Sequence, residues 1–275
     1  MAIQFRLCKN DATTWLRETF QATPLRVPEE RVQPLMVIGQ NDNKIQFRGD
    51  LKFLLEDPNA LSIIPNEGVV SNVSLQRTKK VDISIGLNIL DGFLQGLQLS
   101  PSVVGASFKG VSEISFSFTN VFRRWIDLGE LGLQLKNNKL ASEHPSLNIF
   151  RGNNPATFLI ISDAIVSNSF SINLESGRED SFDLGIPAIQ KYITDAKLKV
   201  KVSSSLQKNI TFEGEKGLTF AFSCVRVVFD EITGAISLME GVNPRSIKAS
   251  DDSNKEPILA ILDEDEYTPG LLSWD

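Results

Sequence analysis

The chain has 275 residues, 41% hydrophobic and 23% charged, with 28 Lys+Arg against 34 Asp+Glu and a net charge of −6. That composition supports a folded core and excludes a disordered or collagen-like chain, and two cysteines are too few for a disulfide framework. No run approaches the roughly 18 consecutive apolar residues of a membrane helix, and the opening MAIQFRLCKN lacks an apolar signal core, so a cytosolic protein with free thiols is expected.

Asp11–Thr23 opens on a capping residue and sets Trp15, Leu16, Thr19 and Phe20 on one side of a predicted helix. Pro34–Gly39 and Lys44–Phe47 are predicted strands around a turn at Gln40–Asn43. Asp50–Glu56 is predicted as a short capped helix. From Val73 to Leu90 the odd positions read Val73, Leu75, Arg77, Lys79, Val81, Ile83, Ile85, Leu87 and Ile89. The even positions from Asp82 onward read Asp82, Ser84, Gly86 and Asn88, the period of two that marks a strand with one apolar face. Leu90–Gly110 is a Gly- and Ser-rich connection, after which Ile114, Phe116 and Phe118 alternate with Ser115, Ser117 and Thr119.

Helical spacing returns over Trp125–Leu140 and ends near Glu143–Pro145. Phe158–Ile165 is a predicted strand that runs on into Phe170, Ile172 and Leu174, alternating with Ser171 and Asn173. Its predicted partner is Lys197–Val202, where Leu198, Val200 and Val202 oppose a stripe of Lys197, Lys199 and Lys201. Leu218–Phe229 (LTFAFSCVRVVF) is dense enough in β-formers for a buried central strand, with a softer segment at Glu231–Met239. Asn243–Asn254 (NPRSIKASDDSN) reads as a linker.

The charge is concentrated at the end. From Ser246 to Asp275 two basic residues, Lys248 and Lys255, stand against eight acidic ones, Asp251, Asp252, Glu256, Asp263, Glu264, Asp265, Glu266 and Asp275. This stretch alone sums to −6 and leaves the body neutral. Threaded through it are Ile258, Leu259, Ile261, Leu262, Tyr267, Leu271, Leu272 and Trp274, large apolar residues in which disordered tails are poor. Such a tail points to a segment that covers a surface and can be removed.

Catalytic chemistry is not in view. The single histidine, His144, precedes Pro145 at a predicted helix end, the setting of a surface or capping residue. No phosphate-binding glycine loop, carboxylate pair or Cys/His metal spacing appears, and Cys224 inside the densest β segment reads as an inert core thiol. The chain is expected to be no enzyme and to hold no metal.

The order of segments carries a resemblance. Val32–Glu56 (VQPLMVIGQNDNKIQFRGDLKFLLE) resembles the front of a gasdermin pore-forming domain, where two strands precede a short helix reached through an SDVLE-like sequence. Asn148–Glu175 resembles the segment in which an RGDN-like turn opens a long strand, and Lys216–Phe229 (KGLTFAFSCVRVVF) resembles the closing GSTLAFRV-like strand. About 45 residues follow Phe229, similar to the bacterial gasdermins with their short inhibitory tail and unlike the animal proteins with a large helical repressor.

The resemblance implies an α+β fold, a twisted and largely antiparallel central sheet with surrounding helices and a short C-terminal inhibitory tail. It implies a pore-forming domain at 1–242, a protease-sensitive linker at 243–254 and an autoinhibitory tail at 255–275. The contacts of that tail fall to its eight large apolar residues. A caspase-like protease cuts the linker, with Arg245 the first choice before the scissile bond and Asp251 or Asp252 the alternatives. The monomer then forms a homo-oligomer and inserts two β-hairpins per subunit as a β-barrel pore. Its partners are membrane lipids and the protease, without nucleic acid. On this resemblance the protein is expected to be cytoplasmic when inactive and in the inner membrane after cleavage, where the pore kills the cell in anti-phage defence.

The family's hairpin regions match Val73–Thr119 and Phe158–Thr211. The candidate membrane-inserting residues are Val81, Ile83, Ile85, Leu87, Ile89, Phe116, Phe118, Phe170, Ile172, Leu174, Leu198, Val200 and Val202. Bacterial members carry a lipidated cysteine near the N-terminus. Cys8 is the candidate here, deeper than usual, and its palmitoyl chain is the only cofactor-like group implied; the alternative is a small buried apolar residue. A different reading is a β-rich lipid- or ligand-binding protein whose tail closes its pocket, and a third is a partner-binding module recruited through the acidic tail.

Overall fold

The computed structural model describes residues 22–41, 44–70, 81–82, 94–99, 113–175, 190–191, 194, 199–205, 209–230, 232–238 and 259–260. Its strands form one eleven-stranded sheet. In chain order they are β1 (Thr23–Glu29), β2 (Met36–Asn41), β3 (Lys44–Asp50), β4 (Asn66–Val69), β5 (Val81–Asp82) and β6 (Glu113–Trp125), then β7 (Thr157–Glu175), β8 (Val200–Ser205), β9 (Asn209–Phe229), β10 (Ile236–Leu238) and β11 (Leu259–Ala260). Helix α1 (Leu128–Lys136) follows β6, and Leu51–Leu54 and Pro145–Phe150 form 3-10 turns. Each strand pair described is antiparallel, in the order β1–β9–β7–β2–β3, with β6 beside the upper part of β7 and β4 and β5 on its far edge.

Two long strands organise the molecule. At about 3.3 Å per residue, the 19 residues of β7 and the 21 of β9 extend roughly 60–70 Å, several times the usual strand. Their near ends form a base buried on both faces, which is why FLIISDAIV reads as an apolar run broken only by Ser162 and Asp163. Phe158 and Ile160 face a core with Val37, Leu131, Leu135, Leu147 and Phe150, while Leu159 and Ile161 face a second core with Leu25, Ile38, Ile45 and Phe222. Two arginines of β6 pin the side of the base, with Arg123 Nε 2.5 Å from Asp163 Oδ1 and Arg124 Nε 2.6 Å from Glu67 Oε2.

Short polar residues cap the elements, at Asp50 and His144 as the sequence predicts. Asp50 accepts a hydrogen bond from the Lys52 backbone N–H, Asp127 from that of Glu130, and His144 Nδ1 from that of Ser146 at 3.2 Å, so the single histidine is a helix cap. Asp230 closes the turn after β9 by accepting from the backbone N–H groups of Ile232 and Thr233, which hold its carboxyl below the usual range. A depressed carboxylate stabilises the fold above its unfolded value, about 4, and ceases to do so as pH falls through its folded value. The stability gap between the unaltered chain and Asp230→Ala is therefore expected to be constant above about pH 5 and to close in more acidic buffer, as urea melts across pH will show.

Three elements differ from expectation. Trp125 ends β6 rather than opening a helix, and α1 begins only after the Asp127 cap. Thr23, the end of the predicted helix Asp11–Thr23, starts β1, and the rest of that helix lies outside the described residues. Most important, β8 does not pair with β7. Lys201, Val202 and Ser203 pair with Glu213, Phe212 and Thr211 of β9, which itself lies between β8 and β7. The segment 209–217 escaped notice because Glu213, Glu215, Lys216 and two glycines interrupt the run of β-formers.

Candidate functional site

Beyond the base, β6, β7, β9 and β8 continue side by side as a plate whose register aligns residue types across all four strands. One row runs Phe118, Phe170, Phe212 and Val202, and two positions on Phe116, Ile172, Ile210 and Ser204. Interleaved rows read Ser117, Ser171, Thr211 and Ser203, then Ser115, Asn173, Asn209 and Ser205. Nearest the base, Thr119 and Ser169 lead to Glu213 and Lys201. Directly opposed residues of antiparallel strands share a face. The pairing register therefore gathers aromatic and aliphatic residues, Ser204 excepted, in one set of rows and hydroxyls, amides, the Glu213–Lys201 pair and the Glu113–Glu175 pair in the other. Val81 extends the apolar side through Ile114 and Leu174.

Phe170 and Phe212 stack with ring centroids 5.1 Å apart and are buried. On the opposite face the hydroxyls of buried Ser171 and half-buried Thr211 are 2.6 Å apart, and Ser167 Oγ donates to Ser169 O at 2.8 Å. Buried hydroxyls satisfied in this way cost little, so the polar side tolerates partial burial near β7 while Lys201, Ser203 and Glu213 stay exposed.

The tail reaches the sheet as well. In β11, Leu259 pairs with Val225 and Ala260 with Cys224, on the β9 edge away from β7 and between β1 and β10. Cys224 is buried, and burial with the neighbouring Asp163 charge pushes its thiol well above the usual range, so it is unreactive.

The structure brings Phe116, Phe118, Phe170, Ile172, Leu174, Val200 and Val202 into the plate and places Val81 at its edge and Leu259 on β9. The candidates Cys8, Ile83, Ile85, Leu87, Ile89, Leu198, Arg245, Asp251, Asp252, Ile258, Ile261, Leu262, Tyr267, Leu271, Leu272 and Trp274 lie outside the described residues. Ile210 and Phe212 are plate residues that the sequence reading missed; their alternation with Thr211 and Glu213 was the available signal.

Comparison with known proteins bears on this architecture. The family model described as the Bacterial Gasdermin Family matches residues 25–235. The chain is 29% identical over 222 residues to Gasdermin bGSDM of Vitiosangium sp., covering 80% of this chain and 82% of that one. It is 25% identical over 226 residues to Gasdermin bGSDM of a Desulfuromonadales bacterium, covering 81% and 83%. The fold is similar to the structure of a bacterial gasdermin from Bradyrhizobium tropiciagri, with a TM-score of 0.61 at 13% identity over 82% of this chain and 89% of that one. With the match to its model running from within β1 through β9, the chain belongs to the bacterial gasdermin family, whose members are pore-forming proteins rather than enzymes.

Proposed function

We propose that this gasdermin is held silent by its C-terminal tail, residues 255–275, until a caspase-like protease cuts within 243–254, after Arg245 or else after Asp251 or Asp252. The body, 1–242, then passes from monomer to homo-oligomer and carries two β-hairpins per subunit, drawn from 73–119 and 158–211, into the bacterial inner membrane. The resulting leak kills the cell as a defence against phage. Acylation of Cys8 would favour insertion by about 0.8 kcal/mol per buried methylene.

The observation that supports this reading most is the plate. A transmembrane β-strand needs one face for lipid and one for water over roughly 9–11 residues, and the aligned rows already separate the two chemistries across four strands. The seven residues 113–119 of β6 extend about 23 Å, short of a hydrocarbon layer of about 30 Å. Spanning strands must therefore recruit flanking sequence, where Ile83, Ile85, Leu87, Ile89 and Leu198 carry the same alternation.

The pairing of β11 supports inhibition by the tail. A two-residue strand is a small contact, adequate while the tether keeps it at an effective concentration near millimolar and inadequate once the linker is cut. Ala260→Pro, which removes a backbone donor from this strand, is expected to make uncut protein release dye from liposomes, whereas the unaltered uncut chain stays silent. Cut protein that remains monomeric and releases no dye would overturn the proposal in favour of a lipid- or ligand-binding protein.

A further inference from the structure

Three neighbouring strands lose their regular geometry at one level of the sheet. In β6, Asn120 has a φ of 53°, the left-handed region that non-glycine residues rarely occupy. Opposite it in β7 stands Asn168, since Thr119 pairs with Ser169 and Val121 with Ser167. Across the other edge of β7, Ser169 pairs with Glu213 and Ser167 with Leu218, so four residues of β9, Gly214 to Gly217, face Asn168 alone. The Asn168 side chain bridges both breaks: its Oδ1 accepts from Asn120 Nδ2 at 3.4 Å, and its Nδ2 donates to Gly214 O at 3.3 Å. Beyond this line β7 and β9 pair without a further shift from Ser169 to Asn173, whereas on the base side the register slips by only one residue each at Ile161/Asp163 and Ile165/Val166, against the three surplus residues here.

Empty space and weak ties collect there too. A small apolar cavity lined by Leu97, Asn168 and Leu218 and a more open one of about 370 Å³ beside Lys199 and Gly214 meet the sheet at this level. Lys216 Nζ lies 2.8 Å from Glu30 Oε1, tying the surplus residues to the base, and Lys199 Nζ lies 2.8 Å from Glu215 Oε2, tying them to the start of β8. All four side chains are exposed, and exposed ion pairs hold weakly.

We infer that this line, through Asn120, Asn168 and residues 214–217, is the hinge about which the amphipathic plate turns against the base when the hairpins enter the membrane. Asn168 is the positioning residue that holds the resting angle. A regular ladder bends only by losing several hydrogen bonds, whereas three irregular positions in line absorb the dihedral change locally, and the surplus of β9 supplies spare length. The inference rests on the pore-forming reading above, because that reading gives the plate a reason to move.

Deleting residues 215–217 removes the surplus and no β7–β9 pair, giving up only the Glu215 N–H bond to Lys199 O and the two exposed ion pairs. Gly214 then stands opposite Asn168, with the Glu213–Ser169 and Leu218–Ser167 pairs kept in register. Hydrogen exchange on the uncut full-length chain tests the hinge without a membrane. Amides of 169–173 and 209–213 should exchange roughly tenfold or more faster than those of 158–166 and 219–227, with the step at Asn168. In the deletion variant that step should shrink to about twofold or less. With a protease site written into 243–254, the variant should melt no lower and be cut as fast as the unmodified chain. It should then release dye from phosphatidylglycerol–phosphatidylethanolamine vesicles about tenfold more slowly. A β7 that exchanges as one unit from 158 to 173 overturns the hinge, and so does a deletion variant that leaks at the unmodified rate. An exchange step in an unmodified chain that never leaks supports the hinge and removes the pore-forming reading instead.

Discussion

Val202→Lys is expected to abolish dye release by the cut protein, while Ser203→Lys, one residue along, leaves it intact. The two positions are neighbours on β8, but Val202 stands in the row of Phe118, Phe170 and Phe212, and Ser203 in the row of Ser117, Ser171 and Thr211. A lysine on the lipid face of a membrane strand costs about 2–4 kcal/mol at the bilayer midplane, roughly thirtyfold or more per subunit in the insertion equilibrium. On the lumenal face the same ammonium stays hydrated, and each subunit adds one positive charge to the channel wall. Ser203→Lys should therefore shift the reversal potential toward anion selectivity. Val202 is half-buried and Ser203 exposed at rest, so both variants should fold and be cut normally, which thermal melts will check. Equal leakage by the two variants would show that β8 does not cross the membrane with this facing.

Phe222→Ala is expected to give the largest loss of stability. Its ring is fully buried in β9, in the core it shares with Leu25, Ile38, Ile45, Leu159 and Ile161. Emptying such a site costs about 3–5 kcal/mol through lost transfer energy and the remaining cavity. For a chain of this size that lowers the melting temperature by roughly 6–20 °C. Ile232→Ala is the matched control, since Ile232 is 95% exposed and its loss should change stability by no more than about 0.5 kcal/mol. A melting shift for Phe222→Ala no larger than the control's would place the main core elsewhere.

Faces were legible in the sequence, partners were not. The run from Phe158 to Ile165 and the density of Leu218–Phe229 identify the doubly buried base strands, and the alternation at Ile114–Thr119 and Phe170–Leu174 identifies the one-sided plate strands. Capping by Asp50 and His144 was legible because those bonds are local. That Lys201 and Val202 belong beside Glu213 and Phe212, instead of beside β7, depends on a choice among strands of similar pattern. Alternation specifies which side a residue faces and leaves the neighbour open. Strands β1 and β4 were missed for another reason. Pro24 and Pro28 interrupt TPLRVPE, and NEGV carries no alternation, so both are strands through the edges they lie against, β9 and β6.

The far edge of β9 is covered piece by piece: β8 takes 209–214, β1 takes 219–222, β11 takes 224–225 and β10 takes 227–229. Losing the tail strand thus bares about four residues, 223–226, in a notch closed at both ends by strands that stay. Stacking into fibrils takes a segment of about six or seven residues, and the exposed Arg226 puts a charge in the notch as well. Under the proposed activation, the cut form would resist amyloid-like strand addition at this edge in water and keep its capacity for β-pairing for the oligomer at the bilayer.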